Sequence, residues 1–221
     1  MGGTASSCGP TRRRLIPKMT EPVAGVLLAG GLARRMGGGD KCLRMLGGES
    51  ILDRIVGRVR PQVDALVLNA NGDASRFAAS GLPVTPDTIE GFAGPLAGVL
   101  AGMEWAQEHD CAWLVSIPTD APFLPLDLVA RLWAALREDG AEMACAASGG
   151  RAHPVVGLWP VGLAGDLRRA MIDEDIRKVD IWTGRYRLAT VEFSTDPYDP
   201  FFNANRPADL EAAERLLAGQ G

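Results

Sequence analysis

The apolar run Val23–Leu28 (VAGVLL) passes without a break into the glycine-rich stretch Ala29–Lys41 (AGGLARRMGGGDK), and helical spacing of apolar residues resumes at Ile51. A strand that ends in glycines and leads to a helix gives backbone N–H groups the chance to turn inward onto phosphate oxygens. Side chains would block that approach, so glycine is the residue the geometry asks for. Arg34, Arg35 and Lys41 add cations able to neutralise a triphosphate. The stretch is not a Walker A loop, because Lys41 follows Asp40 instead of glycine and precedes Cys42. Nor does it hold G-x-G-x-x-G in the right register, so neither P-loop hydrolysis nor dinucleotide oxidation is supported.

Short apolar runs alternate with helical stretches along the rest of the chain, which predicts an α/β fold with a largely parallel sheet. Ile51, Leu52, Ile55, Val56 and Val59 predict a helix over Ile51–Val63. Strands are expected at Ala65–Leu68, Leu82–Thr85 and Ala112–Ile117, with helices at Leu96–Glu108 and Leu126–Glu138. Further strands are expected at Met143–Ala147, Val155–Trp159 and Leu188–Phe193. Helices are expected at Leu163–Ile172, Ile176–Trp182 and Pro207–Leu217, the last with proline at its first position. Neither a repeat nor a linker interrupts residues 23–221, which predicts one domain. Residues 1–22 are small, basic and proline-punctuated, and predict a flexible N-terminal tail. The Arg12–Arg14 run has no apolar segment behind it, so it fails as a secretory signal.

In such a sheet, ligands bind where the carboxyl ends of the strands and their loops converge. The glycine loop, Asn69, Asp87 and Asp120 all fall at strand ends. Asp120 closes an apolar strand and stands between Pro118 and Pro122, which restrict its backbone. Asp87 follows Pro86 and reads equally as a turn aspartate or a ligand contact, and Asn69 equally as a turn cap. Asn203 and Asn205 flank Ala204, so on an extended segment both amides point to one face; an Asx-turn into the final helix is the competing reading. His153, before Pro154, reads as a positioning or structural residue more than a base. His109 suits the carboxyl end of its helix.

Composition narrows the partners. The 221 residues carry 23 Lys+Arg against 27 Asp+Glu, a net charge of −4, which lacks the basic footprint that nucleic-acid binding needs. No apolar run approaches the roughly 20 residues of a membrane span. Cys8, Cys42, Cys111 and Cys145 are scattered with no C-x-x-C pair, as expected of reduced thiols in a cytoplasmic protein. With only two histidines, any metal would rest on carboxylates, which points to a hard cation such as Mg²⁺.

The loop as a whole resembles the nucleotidyltransferase signature L-A-G-G-x-x-x-R-M-G-x-x-K: Leu28-Ala29-Gly30-Gly31, then Arg35-Met36-Gly37, then Asp40-Lys41. It is most similar to the molybdenum cofactor guanylyltransferases, which carry the double glycine and the Asp-Lys pair where related cytidylyltransferases read L-A-A-G. The likeness continues through Asn69-Ala70-Asn71, Gly94-Pro95-Leu96-Ala97-Gly98, Asp120, His153-Pro154 and Phe202–Pro207. It implies a single Rossmann-like three-layer domain of the nucleotide-diphospho-sugar transferase type, with helices on both faces of the sheet. It also implies transfer of GMP from GTP to the terminal phosphate of molybdopterin, with pyrophosphate leaving. By the same resemblance Lys41, Asp120 and Arg35 are catalytic, and Asp120 is the magnesium ligand. Leu28, Ala29, Gly30, Gly31, Lys41, Asn69, Asp87, Gly94 and Asp120 hold the nucleotide, and Asn203 and Asn205 hold molybdopterin. Other molybdenum cofactor biosynthesis proteins and apo-molybdoenzymes are the further partners it implies. The rival readings are a sibling transferase using CTP or a sugar phosphate, and a GTP-binding regulatory protein, which would have little need of a dedicated metal carboxylate.

Overall fold

The computed structural model describes residues 20–29, 40–91 and 94–219. In chain order they form β1 (Val23–Leu28), β2 (Met45–Leu46), β3 (Glu49–Ser50), α1 (Ile51–Val59), β4 (Ala65–Asn69), β5 (Val84–Thr85), α2 (Pro95–Glu108) and β6 (Trp113–Pro118). There follow α3 (Leu128–Glu138), β7 (Met143–Ser148), β8 (Arg151–Pro160), α4 (Ala164–Ile172), α5 (Val179–Thr183), β9 (Leu188–Phe193) and α6 (Pro207–Ala218). Among the described residues, the main sheet has seven strands in the order β5-β4-β1-β6-β8-β7-β9. All pairings in it are parallel except those of β8 with β6 and β7.

A parallel sheet must be covered on both faces, and β1 shows how the residues arrange this. Val23 and Leu27 join the core on one face, and Ala24 and Val26 the core on the other. Buried residues of α1, α3 and α6 cover the first face; those of α2, α4 and α5 cover the second. The expected three-layer α/β architecture is therefore present. Gly98 and Gly102 bring α2 close against the sheet: a Cβ on Gly98 would lie 2.4 Å from Asn69 Oδ1, and one on Gly102 2.7 Å from Val26 Cβ.

Several boundaries differ from the sequence expectation. Helix α1 starts where Ser50 Oγ accepts the Asp53 N–H at 3.0 Å, but it stops at Val59 and not at Val63. Pro61 has no N–H to extend the ladder, and Arg60–Gln62 tightens into a 3₁₀ turn. The helix expected from Leu126 begins at Leu128, and the one expected from Ile176 at Val179. Ile176 instead donates its N–H back to the Ala170 carbonyl, closing the end of α4, and Asp175 before it takes a positive φ of 53°. Strand β8 outruns the expected Val155–Trp159 at both ends.

Most of the expected tail lies outside the described residues. Its last two residues touch the fold, Glu21 accepting from Trp113 Nε1 at 2.9 Å and the Pro22 carbonyl from the N–H groups of Ala112 and Trp113. Among the described residues, no helix is long and apolar enough to cross a membrane.

Candidate active site

Strand register brings Leu28, Asn69, Thr85 and Pro118 level across four neighbouring parallel strands, so their loops open on one edge. The turn after β6 is fixed to that edge. Thr119 donates both its N–H (3.3 Å) and its hydroxyl (3.0 Å) to the Leu28 carbonyl, and the Asp120 carbonyl accepts the Ala204 N–H at 2.8 Å. Asp120 is thus held in place by main-chain bonds on both sides.

Its carboxylate is unusual among the polar groups here. Asp120 Oδ1 is buried without a hydrogen-bond partner. Burial pushes the carboxyl pKa up, while the Asn205 amide and the Lys41 charge pull the other way. An orphaned, charged oxygen in a buried position is costly unless something else satisfies it. A hard, oxygen-preferring cation does so, and Mg²⁺ needs only one or two protein carboxylates because substrate phosphates and water fill its remaining positions. Among the described residues no group of three or more His, Cys, Asp or Glu could form a self-contained metal cage. A single free carboxylate oxygen fits a cation whose other positions are filled by water and a bound ligand.

Lys41 opens the 3₁₀ turn Lys41–Leu43, and its Nζ donates to Asn205 Oδ1 at 3.0 Å. Leu28, Ala29, Lys41, Asp120 and Asn205 line one cleft. Cys42 also lines it, but burial pushes the thiol to about 11, so it stays protonated and is no nucleophile. Beside it, the Asp40 carboxylate pairs with Arg76 Nε at 2.9 Å, and Arg76 also donates to the Asn71 carbonyl at 2.7 Å. The end of the glycine loop is thereby tied to the turn after β4.

That turn carries a second cluster. Asn69 Nδ2 donates to Asp87 Oδ1 at 3.0 Å, Asn71 Nδ2 to Asp87 Oδ2 at 2.7 Å, and Asn71 Oδ1 accepts the Asp87 N–H at 2.8 Å. Asp87 is oriented from both oxygens. Gly94 caps α2 at a φ of +151°, a conformation that side chains avoid, and Pro95 follows at the first helical position.

Five of the expected site residues therefore meet in the cleft, and Asn69 with Asp87 forms a hydrogen-bonded pair at the adjoining strand ends. Gly30, Gly31 and Arg35 lie outside the described residues. Of the asparagine pair, Asn205 reaches Lys41, whereas Asn203 is exposed. Two participants went unnoticed as site residues in the sequence. Asn71 repeats the i, i+2 spacing used to single out Asn203 and Asn205, and that spacing was the available signal. Arg76 sits in a polar stretch where nothing local marks it.

The MobA-like NTP transferase domain model matches residues 25–186. A molybdenum cofactor guanylyltransferase of Bradyrhizobium sp. (strain ORS 278) is 57% identical over 201 residues, covering 90% of this chain and 95% of that one. Another, of Rhodopseudomonas palustris (strain BisB5), is 58% identical over 193 residues, covering 86% and 92%. Among solved structures, the molybdopterin-guanine dinucleotide biosynthesis protein A of Archaeoglobus fulgidus superposes with a TM-score of 0.67 at 23% identity, covering 89% of this chain and 99% of that one.

Proposed function

The chain belongs to the family of MobA-like NTP transferases, and from that membership we propose how its residues carry out guanylyl transfer. GTP and molybdopterin are the substrates, and the product is the molybdopterin guanine dinucleotide cofactor. An oxygen of the terminal molybdopterin phosphate forms a bond to the α-phosphorus of GTP as the bond from that phosphorus to the α–β bridging oxygen breaks. Pyrophosphate departs with the electron pair. A phosphate monoester is already anionic near neutral pH, so no strong general base is required, and the protein's work is positioning and charge neutralisation.

The observation that carries this reading is the meeting of Lys41, Asp120 and Asn205 in one cleft at the carboxyl edge of the sheet. Lys41 supplies a positive charge to the phosphates, and Asn205 holds the ammonium in direction. Asp120 would hold Mg²⁺, which when bound offsets phosphate charge and polarises the phosphoryl group under attack. The Asn69–Asp87 pair, oriented by Asn71, faces the nucleoside. By resemblance, Gly30 and Gly31 cradle the phosphates, Arg35 adds a second cation, Gly94 shapes the nucleotide pocket, and Asn203 joins Asn205 on the molybdopterin side. Residues 23–221 act as one nucleotidyltransferase domain after a tail over 1–22. The enzyme works in the cytoplasm, a reading that the free thiols of Cys42, Cys111 and Cys145 support. Its product passes to apo-molybdoenzymes, with other cofactor biosynthesis proteins as partners.

The test is pyrophosphate release with each nucleoside triphosphate in turn, with and without molybdopterin and with and without Mg²⁺. Release that requires GTP, molybdopterin and the metal together is the expected result. Release with CTP in place of GTP would make the protein a sibling transferase, and none with any triphosphate would leave a binding role.

A further inference from the structure

A second set of polar side chains sits on the same edge of the sheet, at the ends of β7 and β8. Strand β7 runs parallel to β9 and antiparallel to β8, which is itself antiparallel to β6, so Ser148 at the end of β7 lies toward the same edge as Asp120. The pairing of β7 with β8 is irregular: Cys145 faces Gly157, but the next residue, Ala146, faces His153. That irregularity absorbs Pro154–Val156 and brings the His153 ring to Ser148.

Ser148 is buried, and its hydroxyl donates to Asp199 Oδ1 at 2.8 Å while lying 2.7 Å from His153 Nε2. A hydroxyl has one proton, and Asp199 takes it. Nε2 of His153 must therefore be the protonated ring nitrogen, donating to Ser148 Oγ. Asp199 Oδ1 accepts a further bond from the Phe201 N–H at 2.9 Å. The Phe201 ring packs on His153, centroids 4.7 Å apart, and on Phe193 at 5.3 Å. Phe123 in turn packs on two strap residues, Tyr198 at 4.8 Å and Phe202 at 6.3 Å.

All these contacts fasten one strap of chain, Tyr198–Asn205. Its far end delivers the Ala204 N–H to the Asp120 carbonyl and the Asn205 amide to Lys41. We propose that Ser148, His153 and Asp199 are positioning residues for the acceptor: their hydrogen-bonded chain sets where the strap presents Asn205, and so governs affinity for the phosphate-bearing acceptor more than for the nucleotide. The inference rests on the transferase reading above. It places the control of acceptor binding in a polar chain at the β7–β8 hairpin, separate from the Asn69–Asp87 cluster.

The experiment is steady-state pyrophosphate release by wild type, Ser148→Ala, Asp199→Ala and Asp199→Asn, each with GTP and molybdopterin varied separately, together with titration of GTP binding in the absence of acceptor. Ser148→Ala and Asp199→Ala are expected to raise KM for molybdopterin about tenfold or more, since a misplacement of about 1 Å can cost about 10²-fold. The KM and Kd for GTP are expected to rise several-fold less than that, because Lys41 keeps its charge in the cleft when Asn205 moves. Asp199→Asn keeps an oxygen that accepts from both Ser148 and the Phe201 N–H, and it restores most of the acceptor affinity. A merely structural role would not separate the two substrates. An unchanged acceptor KM in both alanine variants overturns the proposal, as does a rise in the GTP KM equal to that for the acceptor. Should Asp199→Ala fail to fold, Ser148→Ala decides by the same split. Wild type that releases no pyrophosphate from GTP strikes the transferase reading instead, which keeps the two failures distinct.

Discussion

The ammonium of Lys41 and the side-chain carbonyl of Asn205, 164 positions apart in the chain, meet at 3.0 Å beside the Asp120 carboxylate. The contact joins the end of the glycine loop to the strap that precedes the last helix. It also orients the one cationic side chain that, among the described residues, lines the cleft with Asp120.

Removing either partner should therefore cost rate, unequally. Lys41→Ala deletes the charge and is expected to lose on the order of 10²-fold in kcat or more, the scale seen when a preorganised electrostatic group is removed. Asn205→Ala leaves the ammonium in place but undirected, and about a tenfold loss in kcat/KM is expected, toward the lower end of what misplacement costs. Pyrophosphate release under saturating and limiting GTP measures both. Equal losses would mean that Asn205 acts on its own account.

Asp120→Asn should separate stability from activity. Burial disfavours the charge on this carboxylate, and one of its oxygens has no hydrogen-bond partner, so in metal-free protein the neutral amide relieves a cost. Thermal unfolding in chelator is expected to move up by a few degrees at most, given about 2–4 °C per kcal/mol at this chain length. Turnover should fall by about 10²-fold or more. A lower Tm together with retained turnover would show that the carboxylate serves the fold and not the reaction.

Two glycines should respond in opposite directions to alanine. At Gly98 the new methyl group meets Asn69 Oδ1 at 2.4 Å and Leu28 Cδ2 at 2.6 Å, so either α2 lifts or Asn69 leaves Asp87. A loss of about 1–3 kcal/mol, typical of overpacking, is expected, accompanied by weaker GTP binding. Gly57, exposed within α1 with nothing near its would-be Cβ, should gain about 0.4–1 kcal/mol. Denaturant unfolding of the two variants checks the contrast.

The side chain of Asp166 makes stability depend on pH at both extremes. Its Oδ2 accepts from the Tyr186 hydroxyl and from Trp182 Nε1, and Oδ1 from Arg169. The Tyr186 hydrogen bond is the main reason its carboxyl sits below the usual range. This contribution is complete above the unfolded value of about 3.9 and is lost as pH falls through the lower folded value. Burial, followed by the bond to Asp166, pushes the Tyr186 hydroxyl up to about 12. That share holds below the unfolded value of about 10 and fades as pH rises toward 12. The Tm gap between wild type and Asp166→Asn should therefore be widest near neutrality and narrow below about pH 4. A gap independent of pH would remove the carboxylate's charge from the account.

Most of the fold was legible because its physics is local. The apolar run Val23–Leu28, the glycines that end it and the proline that opens α6 each declare an element within a few residues. Leu188–Phe193 alternates so regularly that its limits could be read directly, and the structure has the same ones. Pro61 equally foretold where α1 must stop, although the apolar spacing drew the expected helix past it. Strand β8 was less legible, because its antiparallel direction and its irregular pairing depend on partners it meets only after folding. The site divides in the same way. Asp120 and the glycine loop stand out from their own surroundings. Asn205 entered as a molybdopterin contact by resemblance, and its bond to Lys41 had no local signal. Nothing in the stretch around Asp199 marks it as a partner of Ser148, since that pairing closes across 51 positions of chain.

The bond from the Ala204 N–H to the Asp120 carbonyl runs from main chain to main chain. Short of proline at 204, no substitution deletes it, because neither atom belongs to a side chain. The strap is thus hung on the Asp120 turn by a fastening that sequence drift does not easily reach, even where an exposed side chain such as Asn203 changes. A lineage could exchange the exposed side chains along that strap and still inherit the chain path that carries Asn205 to Lys41.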